Sequence, residues 1–189
     1  MLFLAAIPIG ILIGLAFGGR PSRLVRLRLR WIGLLAASLV IQLLIFPSFT
    51  PETIFPYATT ALHLLSYALV CLWLAVNHRM GRTLLLGIGA ICNLAVLAAN
   101  GGYMPASIRA LEAAGQTGTA QHLAEHGTYA NIVLMSDTTR LNWLGDVLHL
   151  PSWMPLATAF SIGDVLIFAG LIWLIARGMK QDGRGTETP

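Results

Sequence analysis

Five apolar runs, each close to membrane-spanning length, constrain this chain more than any other feature. Residues 2–18, 31–47, 58–77, 83–99 and 159–176 hold no Lys or Arg and a single acid, Asp164. The hydrocarbon core of a bilayer takes roughly 20 apolar residues as a helix, and no other backbone arrangement except a closed barrel satisfies its own polar groups there. A soluble core would break such runs with polar residues far more often. The chain is 56% hydrophobic and 11% charged, against roughly 25% charged in a typical soluble domain. The sequence therefore predicts an all-α, polytopic membrane bundle of five transmembrane helices. A single membrane domain covers 1–176, and a polar, disordered tail covers 177–189.

Basic residues set the orientation. Of the twelve Lys and Arg, ten fall in the stretch 20–30, the turn 79–82 and the tail. Only Arg109 and Arg140 lie elsewhere, against five acids in the remaining loops: Glu52, Glu112, Glu125, Asp137 and Asp146. By the positive-inside rule the carboxy terminus is cytoplasmic, the amino terminus outside, and residues 100–158 form one long outer segment of a multi-pass protein of the bacterial inner (cytoplasmic) membrane. The first run has its arginines after it, the wrong polarity for a cleaved signal peptide. The net charge of +4 is confined to these loops, so nucleic acid is not expected as a partner. The bilayer is the expected partner, with anionic lipid an option at the Arg-rich strip 20–30.

Several residues inside the runs are polar or small. Gly10, Gly14 and Gly18 are spaced four apart, a stripe that lets a second helix approach. His63 reads as hydrogen-bonded to a neighbouring helix, with a proton relay as the alternative. Asn93 reads as an interhelical hydrogen-bonding residue. Cys71 and Cys92 lie within apolar runs and read as buried packing residues.

The outer segment opens on Asn100-Gly101-Gly102, a turn that either caps the preceding helix or offers backbone N–H groups to a ligand. Residues 106–114 and 119–126 read as short amphipathic surface helices. The second contains His122-Leu123-Ala124-Glu125-His126, which matches a zinc-protease pattern. With no further acidic ligand evident, a solvated helix face is the preferred reading, and no metal or cofactor is expected. Residues 131–135 are too short to span and are read as tucking back under the surface. Arg140, Asn142, Trp143, Gly145 and Asp146 follow within seven residues, and Arg140 has the option of pairing with Asp146.

The tetrapeptide Gly-Asp-Val-Leu occurs twice, at 145–148 and 163–166. Counted from Ala159, Asp164 lies about 7.5 Å along the last helix at 1.5 Å per residue, deeper than a comfortable N-cap. Two carboxylates meeting at one membrane face would share a proton, the arrangement with which aspartic proteases activate water. Asp146 and Asp164 are thus the candidate catalytic pair. Asn100, Gly101, Gly102, Arg140, Asn142 and Ser161 are candidate binding residues around them.

Gly18–Leu24, Asn100–Pro105, Leu144–Asp146 and Phe160–Leu166 together resemble a bacterial family of small membrane proteins known only as a domain of unknown function. That resemblance implies no activity. More locally, Arg140…Asp146 and Phe160-Ser161-Ile162-Gly163-Asp164 are similar to the two aspartate elements of signal peptidase II. This likeness implies an aspartyl dyad at the outer face, with Arg140 or Asn142 touching substrate. Ser161 and Gly163 depart from that family's Asn and Ala, and the helix count is five rather than four. The sequence thus predicts an outer-face polar site in a non-catalytic binder or accessory subunit, with an intramembrane aspartyl peptidase or hydrolase as the alternative.

Overall fold

The computed structural model describes residues 2–26, 29–45, 58–78 and 83–180. The predicted loop around Glu52, the basic turn 79–82, Leu27–Arg28 of the Arg-rich strip and the tail beyond Lys180 lie outside the described residues. The chain is mostly helical. Each apolar run yields a helix: α1 (Leu2–Ala16), α2 (Gly33–Ile45), α3 (Thr59–Val76), α4 (Leu84–Ala99) and α7 (Ile162–Lys180). Two of them, α3 and α7, are long and apolar enough to cross a membrane by length and composition; α1, α2 and α4 are shorter.

Neighbouring helices pack in the order α2–α3–α4–α7–α1, so α7 lies between the first helix and the fourth. Glycines set the closest approaches. A Cβ on Gly10 would stand 2.9 Å from Ile175 Cβ, and Gly14 and Gly19 face Met179. Because Gly10 meets Ile175 and Gly14 meets Met179, α1 and α7 run parallel, joined at two of the three glycines of the expected stripe; Gly18, the third, faces open space, and Gly19 makes the contact instead. On the other side Gly89 lies against Gly163 and Ile167, while Gly170 lies against Leu86, so α4 runs antiparallel to α7. Buried Trp73, Leu74, Leu86, Ala90 and Leu174 tie α3, α4 and α7 into one core.

Two asparagines fasten opposite ends of the bundle by the same device. Asn77, at the carboxy end of α3, donates to the Arg30 carbonyl (3.0 Å) and accepts from its N–H (3.1 Å). Asn100, at the end of α4, donates to the Arg140 carbonyl (2.8 Å) and accepts from the Arg140 N–H (2.8 Å). At the Asn77 end, Pro21–Arg26 forms a 3₁₀ helix, and Arg23 donates to the carbonyls of Met179 and Lys180 at the end of α7. A cation there meets both the orphan carbonyls and the negative end of the helix dipole. Arg177 and Lys180, predicted for the tail, are the last turn of α7.

The segment 100–158 is not purely helical. The expected surface helices form as α5 (Ile108–Ala113) and α6 (Thr117–His126). Residues 131–135, read as too short to span, contain a strand and not a helix. Ile132–Leu134 is strand β3, paired in parallel with β1 (Met104–Ala106) and antiparallel with β2 (Thr128–Tyr129). A second two-stranded sheet joins β4 (Leu148–His149) to β5 (Ala159–Phe160). The last helix therefore starts at Ile162, three residues later than read from hydropathy, because Ala159 and Phe160 are committed to a strand.

Candidate functional site

β1 follows directly on α4, and it decides where Asp146 sits. The Asp146 N–H donates to the Pro105 carbonyl (2.8 Å), and the Ser107 N–H donates to the Asp146 carbonyl (3.0 Å). Asp146 is thereby laced to the edge of β1 opposite β3, as an isolated parallel bridge to Ala106. Gly145 makes this possible, since any Cβ there would collide with the Pro105 carbonyl oxygen.

Asp164 arrives from α7. Ser161 is the residue before the helix, and Asp164 is its third helical position. The Asp164 N–H donates to Ser161 Oγ (3.0 Å), and the Ser161 N–H donates back to Asp164 Oδ2 (3.1 Å). This is a reciprocal capping box, which satisfies two backbone donors at the start of α7. Asp164 is thus a cap within the first turn; it looked too deep only because β5 was counted as helix. Its second oxygen accepts from Asn93 Nδ2 on α4 (2.8 Å), and Ser161 Oγ donates to Asn93 Oδ1 (3.0 Å). Gly163 leaves the room for this, because a Cβ there would overlap the Asn93 carbonyl oxygen. Each Gly of the repeated Gly-Asp element therefore admits a protein atom, not a ligand.

The hairpin of β4 and β5 brings the two acids into one neighbourhood. Asp146 lies two residues before Leu148, which pairs with Phe160, four residues before Asp164. Burial, then the Asp164 charge, raises the Asp146 carboxyl from its ordinary 3.8 to about 7. Tyr67 of α3 completes the cluster: it bonds to the Asn93 side chain and lies within electrostatic reach of both acids. Its ring meets His63 edge-on at 5.5 Å between centroids. His63 Nδ1 donates to the Gly102 carbonyl (2.8 Å), in the turn after α4 and not on a neighbouring helix. A polar path thus runs from the Asn-Gly-Gly turn through His63, Tyr67 and Asn93 to Asp164.

The other candidate binding residues are occupied with architecture. Gly101 and Gly102 have positive φ, and the Gly102 N–H closes α4 by donating to the Leu97 carbonyl (2.7 Å), the capping alternative for this turn. Asn100 grips the Arg140 backbone. Asn142 donates to the Ser136 carbonyl (2.8 Å) and accepts from Thr139 Oγ1 (2.7 Å), which fastens its own loop. The Arg140 side chain is exposed, and no ion pair joins it to Asp146 among the described residues. His122 and His126 stack ring on ring, 4.2 Å between centroids, with Tyr129 edge-on to His122. The His126 Nδ1–H donates to the His122 carbonyl (3.1 Å), and among the described residues no group of three or more His, Cys, Asp or Glu gathers around a metal position.

Sequence reading picked out Asn93 as an interhelical bond but not as part of the acid cluster, and it passed over Tyr67. Ser161-x-x-Asp164 carried a readable capping signature. Nothing local marks Tyr67, whose role comes from where α3 packs.

A family model matches residues 26–176, and the chain belongs to that family, described as a family of unknown function (DUF5317). Comparison with curated proteins and with solved structures finds no match.

Proposed function

We propose that this member of the DUF5317 family is a five-span protein of the cell membrane, amino terminus outside and carboxy terminus in the cytoplasm. Its Asp146–Asp164 cluster at the outer face is a non-catalytic binding site for a small cation, in competition with a proton. The Arg20–Arg30 strip faces the cytoplasmic headgroups, where anionic lipid suits it. Asymmetry between the two acids carries this reading. Asp164 has both oxygens engaged by the Ser161 N–H and Asn93, so it is fixed architecture. Among the described residues no hydrogen bond engages the Asp146 carboxyl, whose proton affinity is raised by burial and by Asp164. Once Asp146 ionises, two like charges stand together with no basic side chain among the described residues bonded to either, a state that a cation relieves.

The test is the stability of the purified protein in detergent across pH. A carboxyl raised in the folded state favours folding at low pH, and that advantage is lost as pH climbs through the folded value. The apparent unfolding midpoint of the wild type should fall from about pH 4 to about pH 7 and then level off. Sodium or ammonium should restore it above neutrality. Asp146→Asn should flatten the profile and abolish the cation effect. If no cation restores the wild type above neutrality, the binding reading is wrong.

The influence of Asp164 on the Asp146 carboxyl favours one second reading, an aspartyl dyad like that of signal peptidase II. Cleavage of a membrane-anchored peptide by the wild type, lost in both Asp146→Asn and Asp164→Asn, would replace the first reading with the second.

A further inference from the structure

Between its two acids the chain has a segment unlike the rest of the outer region. Residues 147–163 contain no Asp, Glu, Lys or Arg, whereas 100–146 carry Arg109, Glu112, Glu125, Asp137, Arg140 and Asp146. The charge-free segment is not buried. Trp153 is 81% exposed, Leu156 is 47% exposed, and Leu148 is exposed at the base of the hairpin. Nor is it loosely built. The Leu150 N–H donates to the Thr158 carbonyl (3.1 Å), and successive turns close through Met154 to Pro151 (2.9 Å) and Ala157 to Met154 (3.2 Å). At its root the Ala159 N–H donates to Gln116 Oε1 (3.0 Å).

Leu156 stands at φ 66°, a left-handed conformation that strains a branched side chain. That strain is spent on a leucine pointing outward. Water gives no return for it, because an aqueous loop tip takes glycine or asparagine at such a position. The segment also runs straight into α7, whose first residues Ile162 and Val165 are exposed as well, so the apolar surface continues from the loop onto the helix. Tryptophan and leucine on a firm, uncharged loop beside a membrane helix match the chemistry of the interface between headgroups and acyl chains.

We infer that residues 147–160 form an interfacial wedge, seated in the outer leaflet beside α7, with lipid as its partner. This rests on the membrane reading above. It further implies that the Asp146–Asp164 cluster, which the wedge connects, stands at the lipid boundary.

Tryptophan fluorescence in phosphatidylcholine vesicles tests it with the full chain. One variant keeps Trp153 alone and another keeps Trp173 of α7 alone, the other tryptophans being changed to Phe. Trp153 emission should be lost to a nitroxide lipid labelled near the headgroup and protected from aqueous iodide. Trp173 should respond to nitroxides within the acyl region. In the otherwise native chain, Trp153→Phe should lower the fraction of emission quenched at headgroup depth. Iodide quenching of Trp153 alongside lipid quenching of Trp173 would put the wedge in water and overturn the inference, leaving the patch to a protein partner. An unchanged headgroup-quenched fraction in Trp153→Phe would overturn it equally. Lipid quenching of neither tryptophan would sink the membrane reading itself.

Discussion

Asp164 illustrates how one side chain serves two structures at once. One oxygen closes the start of α7 and the other bolts α7 to α4 through Asn93. Removing an N-terminal cap costs about 1 kcal/mol, and stranding the buried Asn93 amide donor adds about 1–3 kcal/mol. Asp164→Ala should therefore destabilise the protein by about 2–4 kcal/mol in a detergent unfolding titration. Asn93→Ala should lose a similar amount, and the double variant should lose less than the sum by about 1 kcal/mol, the coupling expected of partners in one network. Simple additivity would mean that the two side chains do not act together. The partner acid has the opposite character: Asp146 is placed by its backbone, and its carboxyl is left to respond to its surroundings.

At the level of elements, helix contact is set by where side chains are missing. A Cβ on Gly89 would lie 2.5 Å from the Gly163 carbonyl oxygen and 2.9 Å from the Ile167 nitrogen. Both are backbone atoms of α7 and cannot turn aside. Gly87, two residues away on the same helix, faces open space. Gly89→Ala should thus cost about 1–3 kcal/mol by overpacking, whereas Gly87→Ala should be neutral or gain up to about 1 kcal/mol of helix propensity. Unfolding of the two variants under identical conditions separates these outcomes. Much at this scale was legible in the sequence, because spanning-length apolar runs and Gly-x-x-x-Gly spacing are local patterns. The five short strands were not. Met104–Ala106 and Ile132–Leu134 pair across some thirty residues, and three-residue strands have no periodicity to detect. That omission moved the start of α7, and with it the apparent depth of Asp164. Asp146 and Asp164 could be singled out as acids beside glycines. Tyr67 joins them through tertiary packing alone.

On the scale of the whole molecule, α1 and α7 run parallel, and α4 runs opposite to α7. The basic strip and the strand-bearing segment accordingly occupy opposite ends. If the bundle crosses the bilayer, Ser22 and Thr117 face different compartments. In a variant with Cys71 and Cys92 replaced, Ser22→Cys should resist an impermeant maleimide added to intact cells and react only after lysis. Thr117→Cys should react in both conditions. Equal labelling of the two before lysis would exclude the alternating topology.

The position of α7 also has a consequence in time. This helix comes after all the others in the chain, yet it lies between α1 and α4 and supplies Ser161 and Asp164 to the acid cluster. Until it has left the ribosome, α1 has no glycine partner surface and Asn93 lacks Ser161 and Asp164. Closure of the bundle therefore waits on α7: a nascent chain halted before residue 160 possesses neither the α1–α7 contact nor the complete acid cluster.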